Sequence, residues 1–230
     1  FNQKMWVLGG WGGDYKNDVW FSSDGETWEL ATSSAPWPAR RSHCTLVFDG
    51  RMWVMGGWRD GRFNDVWYSE DGTNWTEATG SAPWSPRSSF GATVYDGQMW
   101  VFGHFRDYDV WRSSDGISWT KVTDSSDWAP GYGYGMLVHD GRLWQIGNEV
   151  WSSPDGVNWE QRAYANPWWT KRAGHASVFF DDRVWVLGGG ARSDVWSSPD
   201  GEHWTVATYD ASWVDRMDHA AAVYDGRIWV

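Results

Sequence analysis

Tryptophan placement constrains this chain more tightly than any other feature. There are 24 Trp in 230 residues, and all but Trp11, Trp58 and Trp168 fall at four recurring places. One series is Trp6, Trp53, Trp100, Trp144, Trp185 and Trp229, at spacings of 47, 47, 44, 41 and 44 residues. A second, Trp20, Trp67, Trp111, Trp151 and Trp196, is preceded each time by Asp-Val, or by Glu-Val in the fourth copy. Eight residues later come Trp28, Trp75, Trp119, Trp159 and Trp204, and the last set is Trp37, Trp84, Trp128, Trp169 and Trp213. A fixed period of this length marks a repeat architecture. Five repeats cover residues 5–51, 52–98, 99–142, 143–183 and 184–227 to within a few positions, and 228–230 open another.

Each repeat reads as four short strands. In the first, Met5-Trp6-Val7-Leu8 stops at Gly9-Gly10, followed by Asp18-Val19-Trp20-Phe21, the turn Ser23-Asp24-Gly25 and Thr27-Trp28-Glu29-Leu30. A polar Ala-Pro-Trp-Pro loop then leads to His43–Phe48, which turns through Asp49-Gly50 into the next Met-Trp-Val. Strand-favouring residues broken at such intervals by Asp-Gly and Gly-Gly predict an all-β meander, and no helical periodicity is present. A unit of four strands cannot bury both faces alone. Copies must therefore stack face to face about an axis, as in a β-propeller, with indole rings filling the wedges between sheets.

These units resemble Kelch repeats across the whole chain. The residues that carry the resemblance are the double glycines Gly9-Gly10, Gly56-Gly57 and Gly188-Gly189, the paired aromatics Trp20 and Trp28 with their copies, and three Arg-x-x-His segments before the innermost strand. Those segments are Arg40–His43, Arg172–His175 and Arg216–His219. Gly103-His104 and Gly147-Asn148 depart from the pattern, which bears on loop geometry. The resemblance implies a Kelch-type propeller of four-stranded antiparallel blades, forming one domain over 1–230. It also implies that His219–Tyr224 pairs with Met5–Leu8 to close a ring of five. Tyr224–Val230 repeats the pattern of Phe1–Val7, however, so a segment of a six- or seven-bladed ring is the alternative. An unpaired strand at either end would invite association.

Composition removes several function classes. Nineteen Lys and Arg against 30 Asp and Glu give a formal charge of -11, which repels a phosphate backbone and argues against nucleic acid. No apolar run is long enough for a spanning helix. The single cysteine, Cys44, forms neither an internal disulfide nor a Cys-based zinc site. No Gly-x-Ser-x-Gly elbow, His-Glu-x-x-His or phosphate loop is found, and no cofactor is expected. No feature assigns a cellular compartment.

Candidate ligand contacts come from the segments before the innermost strands. Nine residues ahead of each Asp-Gly or equivalent turn stand Arg40, Arg87, Gly131, Arg172 and Arg216, so four guanidiniums enter the centre at one level. Their forks suit a carboxylate, sulfate or phosphate, and the resemblance implies acidic peptides or small ligands at this mouth. Pairing with a nearby Asp, or stacking on the Trp three residues earlier, is the structural alternative. In the third repeat Tyr132 and Tyr134 replace this pattern and offer an aromatic platform suited to a sugar. The aligned set His43, Phe90, Tyr134, His175 and His219 makes a His-bound metal conceivable, but strand side chains point towards neighbouring sheets, so packed histidines and no metal are expected. Copper oxidases with a Kelch-like propeller use a crosslinked cysteine, yet Cys44 reads as a buried, inert thiol.

The resulting expectation is a non-catalytic propeller that binds an acidic peptide, protein or carbohydrate through Arg40, Arg87, Arg172, Arg216, Tyr132 and Tyr134. A carbohydrate-active enzyme of the mutarotase or galactose-oxidase kind is the alternative by fold analogy. A purely structural segment of a larger protein is another.

Overall fold

A computed structural model describes every residue except 104–106, 129–132 and 164–171. The described residues form strands and turns, without helix. The first sheet holds β1 (Met5–Trp11), β2 (Tyr15–Ser22) and β3 (Glu29–Thr32). The second holds β4 (Cys44–Phe48), β5 (Arg51–Trp58), β6 (Arg62–Ser69) and β7 (Thr76–Thr79), and the third β8 (Ala92–Tyr95), β9 (Gln98–Phe102), β10 (Val110–Ser113) and β11 (Thr120–Thr123). The fourth contains β12 (Gly135–His139), β13 (Arg142–Ile146), β14 (Val150–Ser153) and β15 (Glu160–Ala163). The fifth contains β16 (Ala176–Phe180), β17 (Arg183–Leu187), β18 (Val195–Ser198) and β19 (Thr205–Thr208). β20 (Ala222–Tyr224) and β21 (Arg227–Trp229) make a two-stranded sheet. In each four-stranded sheet the strands lie side by side in chain order, as a β-propeller blade requires.

The repeated residues explain the repeated turns. Ser22 Oγ accepts the Gly25 amide at 2.7 Å, and Asp24 Oδ1 accepts the amides of Glu26 at 2.9 Å and Thr27 at 2.7 Å. The same clasp recurs at Ser69/Asp71, Ser113/Asp115, Ser153/Asp155 and Ser198/Asp200. Such bonds favour the ionised carboxylate, and at Asp71 the Asn74 backbone amide is foremost in holding the group down to about 2. Gly72 and Gly116 head two of these turns at positive φ. A Cβ there would strike the indoles of Trp6 and Trp53, which tuck beneath from the preceding sheet.

Three of the four tryptophan series satisfy their indole N–H locally. Trp53 Nε1 donates to Phe48 O at 3.0 Å, Trp67 Nε1 to Asp65 Oδ2 at 2.8 Å, and Trp75 Nε1 to Gly72 O at 3.1 Å. The fourth series differs. Trp37, Trp84 and Trp128 are fully buried, and their N–H groups reach no acceptor atom. Each instead packs edge to face on a turn tryptophan: Trp37 on Trp75 at 5.8 Å, Trp84 on Trp119 at 6.0 Å and Trp128 on Trp159 at 5.7 Å. Burying a side chain of this size contributes on the order of 4–6 kcal/mol at about 25 cal/mol per Å2. Indole is thus a major part of an apolar core that also holds valine, leucine, isoleucine and methionine.

Two compact units divide the chain, one comprising Phe1–His104 with Trp111–Lys121 and the other Phe105–Val110 with Val122–Val230. Trp53, Trp84, Trp111 and Trp119 centre the core of the first. Trp144, Trp196 and Trp204 with Val184 and Val186 centre that of the second. β20 pairs with β21, Ala222 opposite Trp229 and Val223 opposite Ile228, across the Asp225-Gly226 turn. The first sheet holds three strands where the second to fifth hold four. The consequence is visible at Val7, which is 47 % exposed where its counterpart Val54 is 0 %.

Candidate ligand-binding face

The segments before the innermost strands place their arginines inside the protein. Arg40 is 0 % exposed; its Nη1 and Nη2 each meet a carboxylate oxygen of Asp65 at 2.6 Å, Nη1 also reaches Gly56 O at 2.7 Å, and Nε bonds Pro38 O at 2.9 Å. Its guanidinium lies over Phe63 at 4.4 Å. Arg172 repeats the arrangement with both Asp194 oxygens at 2.7 Å and Gly188 O at 2.9 Å. Arg87, equally buried, donates to Ser85 O, Ser85 Oγ and Phe102 O and covers Trp84 at 5.4 Å. Asp65 and Asp194 each also accept the N–H of Trp67 or Trp196, so one carboxylate ties an arginine fork to a tryptophan. None of these three guanidiniums faces solvent, and each locks a loop to its own sheet.

The remaining expected contacts are less uniform. Arg216 is half-buried, lies over Trp213 at 5.6 Å and makes no ion pair among the described residues. Tyr134 is buried with its ring edge-on to Trp128 at 5.0 Å, while Tyr132 lies outside the described residues. Left-handed residues follow these positions and link through backbone: Ser89 N donates to Ser42 O at 2.8 Å, Gly174 N to Gly133 O at 3.1 Å and Asp218 N to Gly174 O at 2.7 Å.

The aligned histidines serve packing. His175 Nε2 lies 3.1 Å from Ile146 O in the preceding sheet. Burial, reinforced by Arg172, pushes its pKa down to about 4, so the ring is neutral at neutral pH. Burial and then Arg40 bring His43 to about 4 as well. No group of three or more His, Cys, Asp or Glu that could hold a metal occurs among the described residues. Cys44 Sγ donates to Phe90 O at 3.0 Å, and burial pushes its thiol up to about 12. Native protein is accordingly expected to leave Cys44 unmodified by iodoacetamide at mildly alkaline pH, with labelling appearing only on unfolding. Mass spectrometry before and after guanidinium treatment checks this; labelling of folded protein would show that the half-buried thiol ionises in its ordinary range.

A more open surface is formed where two hairpins outgrow the repeat. β1–β2 and β5–β6 carry extra rungs, Trp11 opposite Tyr15 and Trp58 opposite Arg62, that the fourth and fifth sheets lack. Trp11 is 61 % exposed. Arg41 exchanges backbone hydrogen bonds with Trp58 at 3.1 and 2.8 Å, which sets its guanidinium over Tyr15 at 6.0 Å. Arg62 covers Trp58 at 5.7 Å. Three aromatic rings and two arginines are thereby collected on loops of the first unit. Sequence reasoning passed over them, although Trp11 and Trp58 carry a signal: they are two of the three tryptophans outside the four series. A residue absent from most repeats is not needed to build a blade.

Comparison with known proteins agrees with this architecture. The Kelch motif family model matches residues 39–68, which run from the segment before β4 into β6. The chain is similar to the solved structure of YjhT, with a TM-score of 0.74 over 99 % of this chain and 86 % of that one, at 13 % identity. At that identity the likeness speaks to fold alone. No curated protein sequence matches the chain.

Proposed function

We propose that this chain, a Kelch-repeat β-propeller, is a non-catalytic binding module that takes an acidic carbohydrate on the surface formed by Trp11, Tyr15, Arg41, Trp58 and Arg62. The observation that carries the reading is Trp11, a large ring left mostly in water, whose ladder partner Tyr15 lies under the guanidinium of Arg41, itself clamped by its backbone to Trp58. Exposed indole supplies a flat apolar face for a sugar ring, and a guanidinium fork matches a carboxylate or sulfate. The net charge of -11 opposes long-range attraction of an anion, so recognition rests on contacts within this cluster. The buried Arg40, Arg87 and Arg172 support it by holding the loops rather than touching the ligand. Ligand contact at the innermost-strand segments is the competing position, and there Arg216 and Tyr134 carry it.

A panel of acidic and neutral oligosaccharides, followed by calorimetry on any binder, tests the assignment. Trp11→Ala is expected to weaken binding about tenfold, the scale of one aromatic contact. Arg41→Ala is expected to remove the preference for acidic over neutral sugars. Unchanged affinity in both variants, with loss in Arg216→Ala, would move the site to the innermost-strand segments.

A further inference from the structure

We infer that the ligand of the hairpin surface is a linear polysaccharide in which acidic and uncharged sugars alternate, laid across both hairpins. The inference rests on the acidic-carbohydrate reading above and adds to it the length and the charge pattern of the ligand. All the residues concerned, Trp11, Tyr15, Arg41, Trp58 and Arg62, belong to the first compact unit.

Backbone pairing sets these residues in a row. Arg40 N donates to Lys16 O, and Gly10 N to Arg40 O, both at 2.9 Å, on the side of β1–β2. Arg41 turns its backbone the other way and exchanges hydrogen bonds with Trp58 at 3.1 and 2.8 Å. One short segment thus runs between the two hairpins and joins them. Residues directly opposite in antiparallel pairs present their side chains on the same face. Arg41 stands opposite Trp58, and Trp58 opposite Arg62, so the three lie in line on one face. Arg40, next in sequence to Arg41, points to the other face and is buried there. Beyond Arg41 the rung of Trp11 and Tyr15 begins the row, with Tyr15 under the Arg41 guanidinium. The order across the surface is aromatic, cation, aromatic, cation.

The spacing of the row selects the ligand. Trp58 directs both backbone groups to Arg41, so that pair is hydrogen-bonded and the Trp58–Arg62 pair is not, which sets the backbones of Arg41 and Arg62 about 10 Å apart. Two linked pyranose rings span a comparable length. Two guanidiniums meant for one carboxylate would converge on it. Here Arg41 leans away from Trp58 onto Tyr15 at 6.0 Å, while Arg62 lies over Trp58 at 5.7 Å, so each cation stays on its own ring. The surface therefore suits two anions one disaccharide apart, with an uncharged sugar between them at Trp58. A polymer charged on every sugar would bring a further carboxylate to that indole, whose negative face disfavours it. Trp11 and Trp58 also hold the same place in successive repeats, after Gly9-Gly10 and Gly56-Gly57, so the same ring is offered twice. A repeating surface fits a repeating ligand. Trp11 at one end of the row and Arg62 at the other are both exposed, which suits an internal stretch of polymer rather than a terminal sugar.

Calorimetry of the full chain with oligosaccharides of graded length is the test. The probes are hyaluronan fragments, in which glucuronate alternates with an uncharged amino sugar, oligogalacturonates charged on every residue, and uncharged cello-oligosaccharides. The hyaluronan tetrasaccharide is expected to bind about tenfold tighter than the disaccharide, through one further aromatic contact and one further ion pair. It should also bind tighter than an oligogalacturonate or a cello-oligosaccharide of equal length. Arg41→Ala and Arg62→Ala are each expected to abolish the gain from disaccharide to tetrasaccharide. Arg59→Ala, on the turn between Trp58 and Arg62 but outside the row, should leave that gain unchanged. An equal loss in Arg59→Ala would mean that charge density rather than the row is recognised, and would overturn the inference. Equal affinity for the two hyaluronan lengths, with Trp11→Ala weakening both, would overturn it while the acidic-sugar reading stands. Tighter binding of oligogalacturonate would overturn the alternation. Failure of every probe to bind would overturn the inference and that reading together.

Discussion

Asp65→Ala is expected to lower the unfolding free energy by about 3–5 kcal/mol, the usual consequence of leaving one charge of a buried pair alone. Arg40 is 0 % exposed and has no route to water once its carboxylate is gone. The Gly56 and Pro38 carbonyls still accept its protons but carry no compensating charge. Trp67 loses the acceptor of its indole N–H in the same step. An exposed pair supplies the control: Arg51→Ala, which breaks the contact to Glu70 at 3.0 Å, should change stability by less than about 1 kcal/mol. Replacing both partners, Arg40→Met with Asp65→Leu, should recover most of the loss, because the desolvation penalty disappears together with the pair. Denaturant titration of the four proteins decides the matter. A cost below about 1 kcal/mol for Asp65→Ala would show that water reaches Arg40.

Trp84→Ala is expected to destabilise by a comparable amount, about 3–5 kcal/mol, through the cavity it leaves between Phe90 and Trp119. The more discriminating comparison is Trp84→Phe against Trp53→Phe. Both side chains are buried, and both substitutions remove the same atoms. The Trp84 N–H reaches no acceptor atom, so its loss strands nothing, whereas Trp53→Phe leaves the Phe48 carbonyl without its donor. Trp53→Phe should therefore cost about 1 kcal/mol more than Trp84→Phe. Equal costs would mean that the Trp84 N–H has a partner of its own.

Much of the blade could be read from residue order because its contacts are local. The Ser-x-Asp-Gly turn is closed by atoms two and three residues apart, and the Trp53 indole reaches a carbonyl five residues back. Repetition then turns one local reading into five. The candidate site was harder to read for the opposite reason. Arg40 and Asp65 are 25 residues apart, and nothing between them announces the pair. The arginines consequently suggested a ligand-lined mouth, and the structure turns three of them inward. Trp11 and Trp58 stood in plain view as exceptions to the period, yet their meaning required the lengths of β1–β2 and β5–β6 and the reach of Arg41.

Residue order alone determined that this chain is a run of antiparallel four-stranded blades wedged by indole. Side-chain periodicity and short-range turn hydrogen bonds depend only on near neighbours in the chain. Tertiary structure alone decided which arginines are buried and which aromatic rings stay in water. Those outcomes depend on segments far apart in the chain meeting in space, as Arg40 meets Asp65 across 25 residues.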